Sequence, residues 1–353
     1  MSVTAKDIAG KLGISPATVS LVFRNKPGVS DAVREQVRAT AQEMGFEYSS
    51  SAGVRRSNTI LFIIYKRHGK VVSNTAFFDR LTQGVSDQVY RLGYQLSVLY
   101  FYGTENISEQ MRSVTIAKCA GIILLTTEMR ASDIEIFQSL SVPIVLLDNW
   151  FPNKRMDAVV IDNMHGAWRA VQHLIRCGHT RIGYLHSKVE IRNFRERREG
   201  YLSAIASMQG VANDSSQRIL TLGTTTDAAF EDMSAYLAAY PILPTAFFAD
   251  NDIIAVGCMR ALLKAGYRVP EEVSIIGFDD MPICQMTDPQ LTTMSVPSER
   301  MGALAVERLD KRIKGETGGE VIRLSVFPEI IKRGSVVNLN LDDEKDEKSR
   351  KKV

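Results

Sequence analysis

At 353 residues, 45% of them hydrophobic and 24% charged, the chain can bury two or three packed cores and is too apolar for a disordered polymer. No run approaches the roughly eighteen uninterrupted apolar residues of a membrane span, and Lys6, Asp7 and Lys11 stand where a secretory leader needs an apolar stretch, so the expectation is a cytoplasmic protein with no membrane partner. The net charge of +3 sits entirely in residues 1–58, which hold eight Lys/Arg against five Asp/Glu; the rest of the chain balances at 35 of each, so only the N-terminal module is biased toward a polyanion.

That module opens with a capping box, Thr4 with Asp7, ahead of Ile8 and Leu12 at helical spacing, and Gly13 ends the helix. Pro16 begins a second helix, because a missing N–H costs nothing at the first helical position, and Ser15 before it caps the free N–H groups that follow. Val19, Val22 and Phe23 give this helix one apolar face, and Asn25-Lys26-Pro27-Gly28 breaks it. Ser30 is placed to cap a third helix whose Val33, Val37, Ala41 and Met44 form one stripe. Two short helices joined by a tight turn are a helix-turn-helix, whose second helix enters the major groove with its N-terminal residues toward base edges.

Spacing alone also allows a three-helix bundle that touches nothing. However, Thr4-Ala-Lys-Asp-Ile-Ala9, Gly13-Ile-Ser-Pro-Ala-Thr-Val-Ser20, Lys26-Pro-Gly-Val-Ser30 and Gly45-Phe46 resemble, in order and spacing, the headpiece of the LacI/GalR family of bacterial transcription regulators. The resemblance implies DNA contacts from Thr4, Ser15, Pro16, Ala17, Thr18, Ser20, Leu21, Arg24 and Asn25. The family commonly carries arginine where Leu21 stands. Leucine donates no hydrogen bond to guanine but does touch a thymine methyl, so direct readout by this helix is expected to be poor in hydrogen bonds.

The family's hinge proline and wedge leucine are both missing from Tyr48-Ser-Ser-Ser-Ala52-Gly53-Val54-Arg55-Arg56. Ala52 survives and Arg55 falls at the wedge position. Arg55 and Arg56 are expected to bind minor-groove phosphates or base edges instead of intercalating, with Val54 the alternative wedge.

Beyond residue 58, β-branched apolar runs recur at 59–65, 96–100, 121–125, 143–147, 158–161, 181–185, 219–222, 246–249 and 274–278, with helix-period segments between most of them. Such alternation means parallel sheets covered by helices, and about 280 residues exceed one such unit. The expected organisation has four parts. An all-α helix-turn-helix headpiece spans 1–47 and a hinge 48–58. An α/β two-lobed periplasmic-binding-protein-like domain with parallel sheets spans 59–340, crossing between lobes near Asp162 and Thr292. A disordered charged tail spans 341–353. The tail offers no heptad seam for a tetramer.

Ligands in such sheets sit beyond the carboxyl ends of strands. Ser274-Ile-Ile-Gly-Phe-Asp279 fits this pattern, and the resemblance makes Asp279 an effector carboxylate. It likewise nominates Arg197, Asn193, Asn251, Asp148, Phe77 and Phe78 for an apolar cleft with a few convergent polar groups. Each has a structural alternative: Asp148 and Asp279 as helix caps, the phenylalanines as core, and Arg197 as the salt-bridge partner of Glu199 or a neighbour.

Cys119, Cys177, Cys258 and Cys284 lie far apart without CxxC spacing and read as free thiols. His173, Cys177 and His179 have metal-like spacing but match a scaffold segment of the same family, so neither a metal nor a cofactor is expected. There is no phosphate loop or nucleophile elbow to support an enzyme. The resulting expectation is a homodimeric repressor of a pseudo-palindromic double-stranded DNA operator, controlled by a small carbohydrate effector in the interlobe cleft. The competing readings are a transporter's solute-binding protein and a DNA-binding protein with no small-molecule response.

Overall fold

The computed structural model describes residues 3–23, 28–44, 46, 57–72, 75–208, 219–240 and 242–340. The chain divides into two units, 1–57 and 58–353. Arg24, Asn25, the hinge candidates Ala52, Val54, Arg55 and Arg56, and the tail expected over 341–353 lie outside the described residues.

The first unit contains α1 (Ala5–Leu12), α2 (Pro16–Phe23) and α3 (Asp31–Glu43). The capping box of α1 forms in full: Thr4 Oγ1 accepts from the Asp7 N–H, and the Asp7 carboxylate accepts from the Thr4 N–H at 2.7 Å. Gly13 closes α1 at φ 65°, a left-handed conformation that glycine adopts without strain. Ser15 Oγ accepts from the Thr18 N–H at 3.0 Å and starts α2. Ser30 precedes α3 with extended backbone, but its side chain makes no capping bond, so the expectation for it fails at the hydroxyl. Ile8, Ala9, Val19, Val22, Val37 and Ala41 form the core, with Leu12, Val33 and Met44 packed against it.

The second unit holds two six-stranded sheets. The first lobe begins with β1 (Thr59–Lys66), α4 (Ala76–Arg91), β2 (Gln95–Tyr102), α5 (Ile107–Ile116), β3 (Gly121–Leu125), the one-turn α6 (Glu135–Gln138), β4 (Ile144–Leu147) and β5 (Asp157–Ile161). The chain then crosses to α7 (Asn163–Arg176), β6 (Ile182–Ser187), α8 (Arg192–Ala206), β7 (Ile219–Leu222), α9 (Thr226–Ala239), β8 (Ala246–Ala249), α10 (Asp252–Lys264), β9 (Ser274–Asp279), the one-turn α11 (Ile283–Met286) and β10 (Thr292–Ser295). It returns with α12 (Ser298–Lys314) and β11 (Arg323–Val326), and crosses once more to β12 (Glu329–Ile331).

Strand order is β11-β5-β4-β3-β1-β2 in the first sheet and β12-β10-β9-β8-β6-β7 in the second; every pairing is parallel except β10 with β12. The continuous apolar run of β1 is what burial on both faces requires, and its six interior residues are buried. The chain leaves the first sheet after Ile161 and leaves the second after Ser295, since Thr292–Ser295 pairs with β9 and continues the second sheet. A third crossing, after Val326, has no counterpart in the sequence reading.

The returning helix α12 seats against α4 with backbone touching backbone. A Cβ on Gly84 would stand 1.9 Å from the Glu299 carbonyl oxygen, and one on Gly302 would stand 2.3 Å from that of Leu81. Gly84→Val is therefore expected to force the two helices apart and destabilise the second unit by at least the ~1–3 kcal/mol typical of overpacking. Urea denaturation followed by circular dichroism measures this; an unchanged midpoint would show the contact to be compliant.

Candidate functional site

Two surfaces carry the candidate residues. In the first unit, Ser15, Pro16 and Ala17 are exposed at the start of α2, while Thr18, Ser20 and Leu21 are half-buried beside the inward-facing Val19 and Val22. No side chain of α2 carries a charge. Thr4 is exposed, but its hydroxyl is engaged with Asp7, donating to the carboxylate at 2.6 Å, so its first role is to fix the start of α1.

In the second unit, a cavity of about 40 Å³ lies between the lobes at the carboxyl ends of the strands. Phe77, Phe78, Asp148, Asn193, Arg197, Asn251 and Asp279 all line it, joined by Thr127 and Ile191 among others. Arg197, on α8, is 2% exposed and held on three sides. Its Nε donates to Asn163 Oδ1 at 2.9 Å, one Nη to the Asp250 carbonyl and the other to Asp279 Oδ1 at 3.1 Å. The guanidinium lies 3.7 Å from the centroid of Phe278. Its carboxylate partner is thus Asp279 at the end of β9 and not Glu199. Burial raises the Asp279 carboxyl above its ordinary range, and Arg197 opposes that rise.

Asp148 faces the same cavity from the end of β4. It accepts from Thr127 Oγ1 at 2.6 Å within its own lobe and from Asn193 Nδ2 at 3.0 Å across the cleft. Burial pushes it up to about 7, against the two donors and Arg197. A second bond between lobes runs from Arg80, on α4, to the carbonyls of Asp279 and Asp280 at 3.2 and 2.9 Å. Neither Asp148 nor Asp279 caps a helix. Both hold left-handed backbone, at φ 71° and 107°, a strained geometry that Asp tolerates better than most residues. Asn251 is the helix cap: its Oδ1 accepts from the Ile254 N–H of α10 at 3.0 Å, which leaves its amide nitrogen to the cleft. Phe77 is buried and meets the half-buried Phe78 edge to face at 5.0 Å, so the pair is part of the core as well as a wall.

Behind this layer lie residues that the sequence reading did not single out. Asp250 accepts from Tyr184 Oη, from His186 Nδ1 at 2.8 Å and from the Ser187 N–H at 2.7 Å. Although burial opposes it, Asp250 and then Glu190 raise the His186 imidazole above its usual value. Asp252 accepts from Thr293 Oγ1 and the Met281 N–H, and burial pushes it up to about 7. Both ring nitrogens of His179 are engaged, with Thr245 and the Val337 carbonyl, and His173 contacts Cys177 Sγ at 3.9 Å. No group of three or more metal-ligating side chains forms among the described residues.

Residues 4–49 match the model of the bacterial regulatory proteins, lacI family, and residues 171–336 that of the periplasmic binding protein-like domain. The chain is 31% identical to the ribose operon repressor of Escherichia coli K12, covering 94% of this chain and 99% of that one. The chain belongs to the lacI family. Another relative, the HTH-type transcriptional repressor PurR of Haemophilus influenzae, is 30% identical over 95% of this chain and 99% of its own length. A transcriptional regulator CelR–cellobiose complex superimposes with a TM-score of 0.71 at 26% identity, covering 94% and 99% of the two chains. Membership in the lacI family accounts for the two-part architecture, a helix-turn-helix unit followed by a two-lobed α/β body. No helix among the described residues is long and apolar enough to cross a membrane.

Of the side chains that sequence reasoning missed, Arg80, Thr127, Asn163 and Asp250 are partners of those it found, while Asp252 is held by Thr293 and Met281. The only local signal among them is the Asp250-Asn251-Asp252 run after β8, where the notable residue was taken to be the asparagine.

Proposed function

We propose that this lacI-family member is a cytoplasmic homodimeric repressor whose affinity for a pseudo-palindromic operator is set by a small polar effector, most simply a sugar, bound between the lobes. One observation carries the reading: seven side chains from five separate segments converge on one cavity around a buried Arg197–Asp279 pair that has further donors and acceptors on both lobes. A vicinal diol suits this arrangement, since Asp279 accepts two hydroxyls and the Phe77–Phe78 wall covers a sugar's apolar face. The cellobiose bound by one relative and the ribose operon controlled by another support the carbohydrate class.

The cleft is read as a binding site and not as a catalytic one. DNA contacts, to phosphates or base edges, fall to Thr4, Ser15, Pro16, Ala17, Thr18, Ser20, Leu21, Arg24 and Asn25, minor-groove contacts to Ala52, Val54, Arg55 and Arg56, and residues 48–58 act as the hinge. Because the cavity holds only about 40 Å³, room for little more than water, an effector has to part the walls. The bonds it competes with, Asn193 to Asp148 and Arg80 to Asp279 and Asp280, join the lobes. This gives the effector a differential interaction with two lobe arrangements, without which no population would shift.

The test is fluorescence anisotropy on genomic fragments recovered by footprinting, titrated with a carbohydrate panel. One sugar is expected to change operator affinity by roughly 5–150-fold, the usual range of a coupling free energy. Asp279→Asn should keep operator binding and lose that response. A variant with the same response as the unaltered protein would remove Asp279 from the site, and a panel without effect would favour a DNA-binding protein insensitive to carbohydrate.

A further inference from the structure

The bonds from Asn193 to Asp148 and from Arg80 to the Asp279 and Asp280 carbonyls are joined by a contact of another kind, outside the cavity. Trp150, two residues beyond Asp148, is half-buried and holds two guanidinium groups against its ring. Arg192, at the start of α8 on the second lobe, and Arg323, on β11 of the first, each stand 4.0 Å from the ring centroid. Two cations at that distance cannot share one face of an indole, so they take opposite faces.

A cation stacked on an aromatic ring is a common surface feature and by itself carries no function. Arg260 and Lys264, both on α10, flank Phe230 of α9 in this way within the second lobe. The Trp150 stack differs in where its parts are held. The ring is fixed to the first lobe: Asn149 Nδ2 donates to the Thr126 and Met129 carbonyls at 3.0 and 3.3 Å, Asn149 Oδ1 accepts from the Trp150 N–H at 2.7 Å, and Phe151 is buried. Arg192 is fixed to the second lobe by Glu196, one turn along α8, at 2.6 Å. When the lobes part, Trp150 and Arg323 therefore stay together and the Arg192 face alone is uncovered. Neither Trp150 nor Arg192 lines the cavity, so an effector seated there makes no contact that replaces the stack.

We propose that the Trp150–Arg192 stack is an interlobe latch that holds the cleft shut and thereby weakens effector binding, regulating the site without touching the ligand. The effect on the effector rests on the reading of the cavity given above; the restraint on the lobes does not. A cation–π pair with solvent access favours the closed arrangement by about two- to fivefold. Because about 40 Å³ admits no sugar, binding requires the parted arrangement, and the apparent dissociation constant is the intrinsic one divided by the parted fraction. Loosening the latch thus tightens effector binding by the same factor.

Native-state thiol labelling measures the parted fraction without a ligand. Met281 lines the cavity and is 7% exposed, so in the full chain carrying Met281→Cys and Cys119→Ser the introduced thiol reacts when the lobes part. Cys258 is fully buried in the second-lobe core and reports unfolding of that lobe. Trp150→Leu keeps an apolar side chain without the π-face. It is expected to raise the labelling rate of the introduced thiol about two- to fivefold with that of Cys258 unchanged, and Trp150→Phe, the weaker ring, to fall between. Arg323→Ala strips the opposite face of the same ring within one lobe and should leave the rate as it was. Should Trp150→Leu raise the Cys258 rate as well, Arg192→Gln removes the same cation and decides. Ribose and cellobiose, followed by thermal unfolding, supply the ligand arm: a sugar that stabilises the unaltered protein should bind Trp150→Leu about two- to fivefold tighter. If the labelling rate rises and neither sugar binds either protein, the latch stands and the carbohydrate reading fails separately for these sugars. An unchanged rate in Trp150→Leu, an equal rise in Arg323→Ala, or weaker sugar binding in Trp150→Leu overturns the proposal.

Discussion

Arg197→Ala is expected to lower the stability of the second unit by about 3–5 kcal/mol, the usual result of stranding a buried charge, and to abolish any effector response. The guanidinium serves Asn163, the Asp250 carbonyl and Asp279 at once and lies over Phe278, so truncation leaves three buried acceptors and an uncovered ring. Arg197→Lys should recover little, since an ammonium on a flexible stem cannot present three N–H groups in a fixed fork. The sign of the pH dependence follows from Asp279. Its carboxyl already titrates above the ordinary range through burial, with Arg197 pulling it down, so losing the arginine raises it further. A raised carboxyl contributes stability that is complete below the unfolded pKa near 4 and is lost as pH rises through the folded value. The deficit of the alanine variant should therefore be larger at pH 8 than at pH 5 in urea denaturation. Equal deficits below about 1 kcal/mol at both would mean that Asp279 finds another partner or water.

Local chemistry was legible where the determinant lies within a few residues. Thr4 with Asp7, Gly13, and Ser15 with Pro16 set the first two helices through bonds spanning three or four positions, and those bonds form. The hydroxyl of Ser30 is of the same type yet makes no capping bond, because position favours a cap without compelling the rotamer. In the body, nine apolar runs announced nine strands. β10, β11 and β12 carried no such signal: "TTMS", "RLSV" and "EII" are short, and the strands they join supply the pairing.

The seven cleft residues came from family resemblance together with the end-of-strand rule. Their partners were invisible because a hydrogen bond from Arg80 to Asp279 spans almost two hundred positions and depends on how two lobes meet. Glu128, whose carboxylate threads five N–H groups of the loop after β1, leaves no trace in the sequence beyond being a charged residue in a run that is otherwise apolar or neutral.

Asp148 offers the sharpest test of the cleft's electrostatics. It is 1% exposed, and its carboxyl is pushed up to about 7, chiefly by burial, from an ordinary value of 3.8. Between these values the folded chain holds a proton that the unfolded chain has released, so the stability contributed by this group falls as pH rises, by up to about 4 kcal/mol for a shift of that size. Asp148→Asn removes the titration with little change of shape. Asparagine tolerates the left-handed backbone at φ 71°, its carbonyl can accept from Asn193 Nδ2, and its amide can donate to Thr127 Oγ1 once that hydroxyl turns. The variant should therefore match or fall below the unaltered protein at pH 4.5 and exceed it at pH 8, with the difference growing steadily between. Parallel stability curves would show that Asp148 is ionised throughout, held so by Arg197 and its two donors. In that case the cleft would present two carboxylates to its ligand at neutral pH instead of a carboxylate and a carboxylic acid.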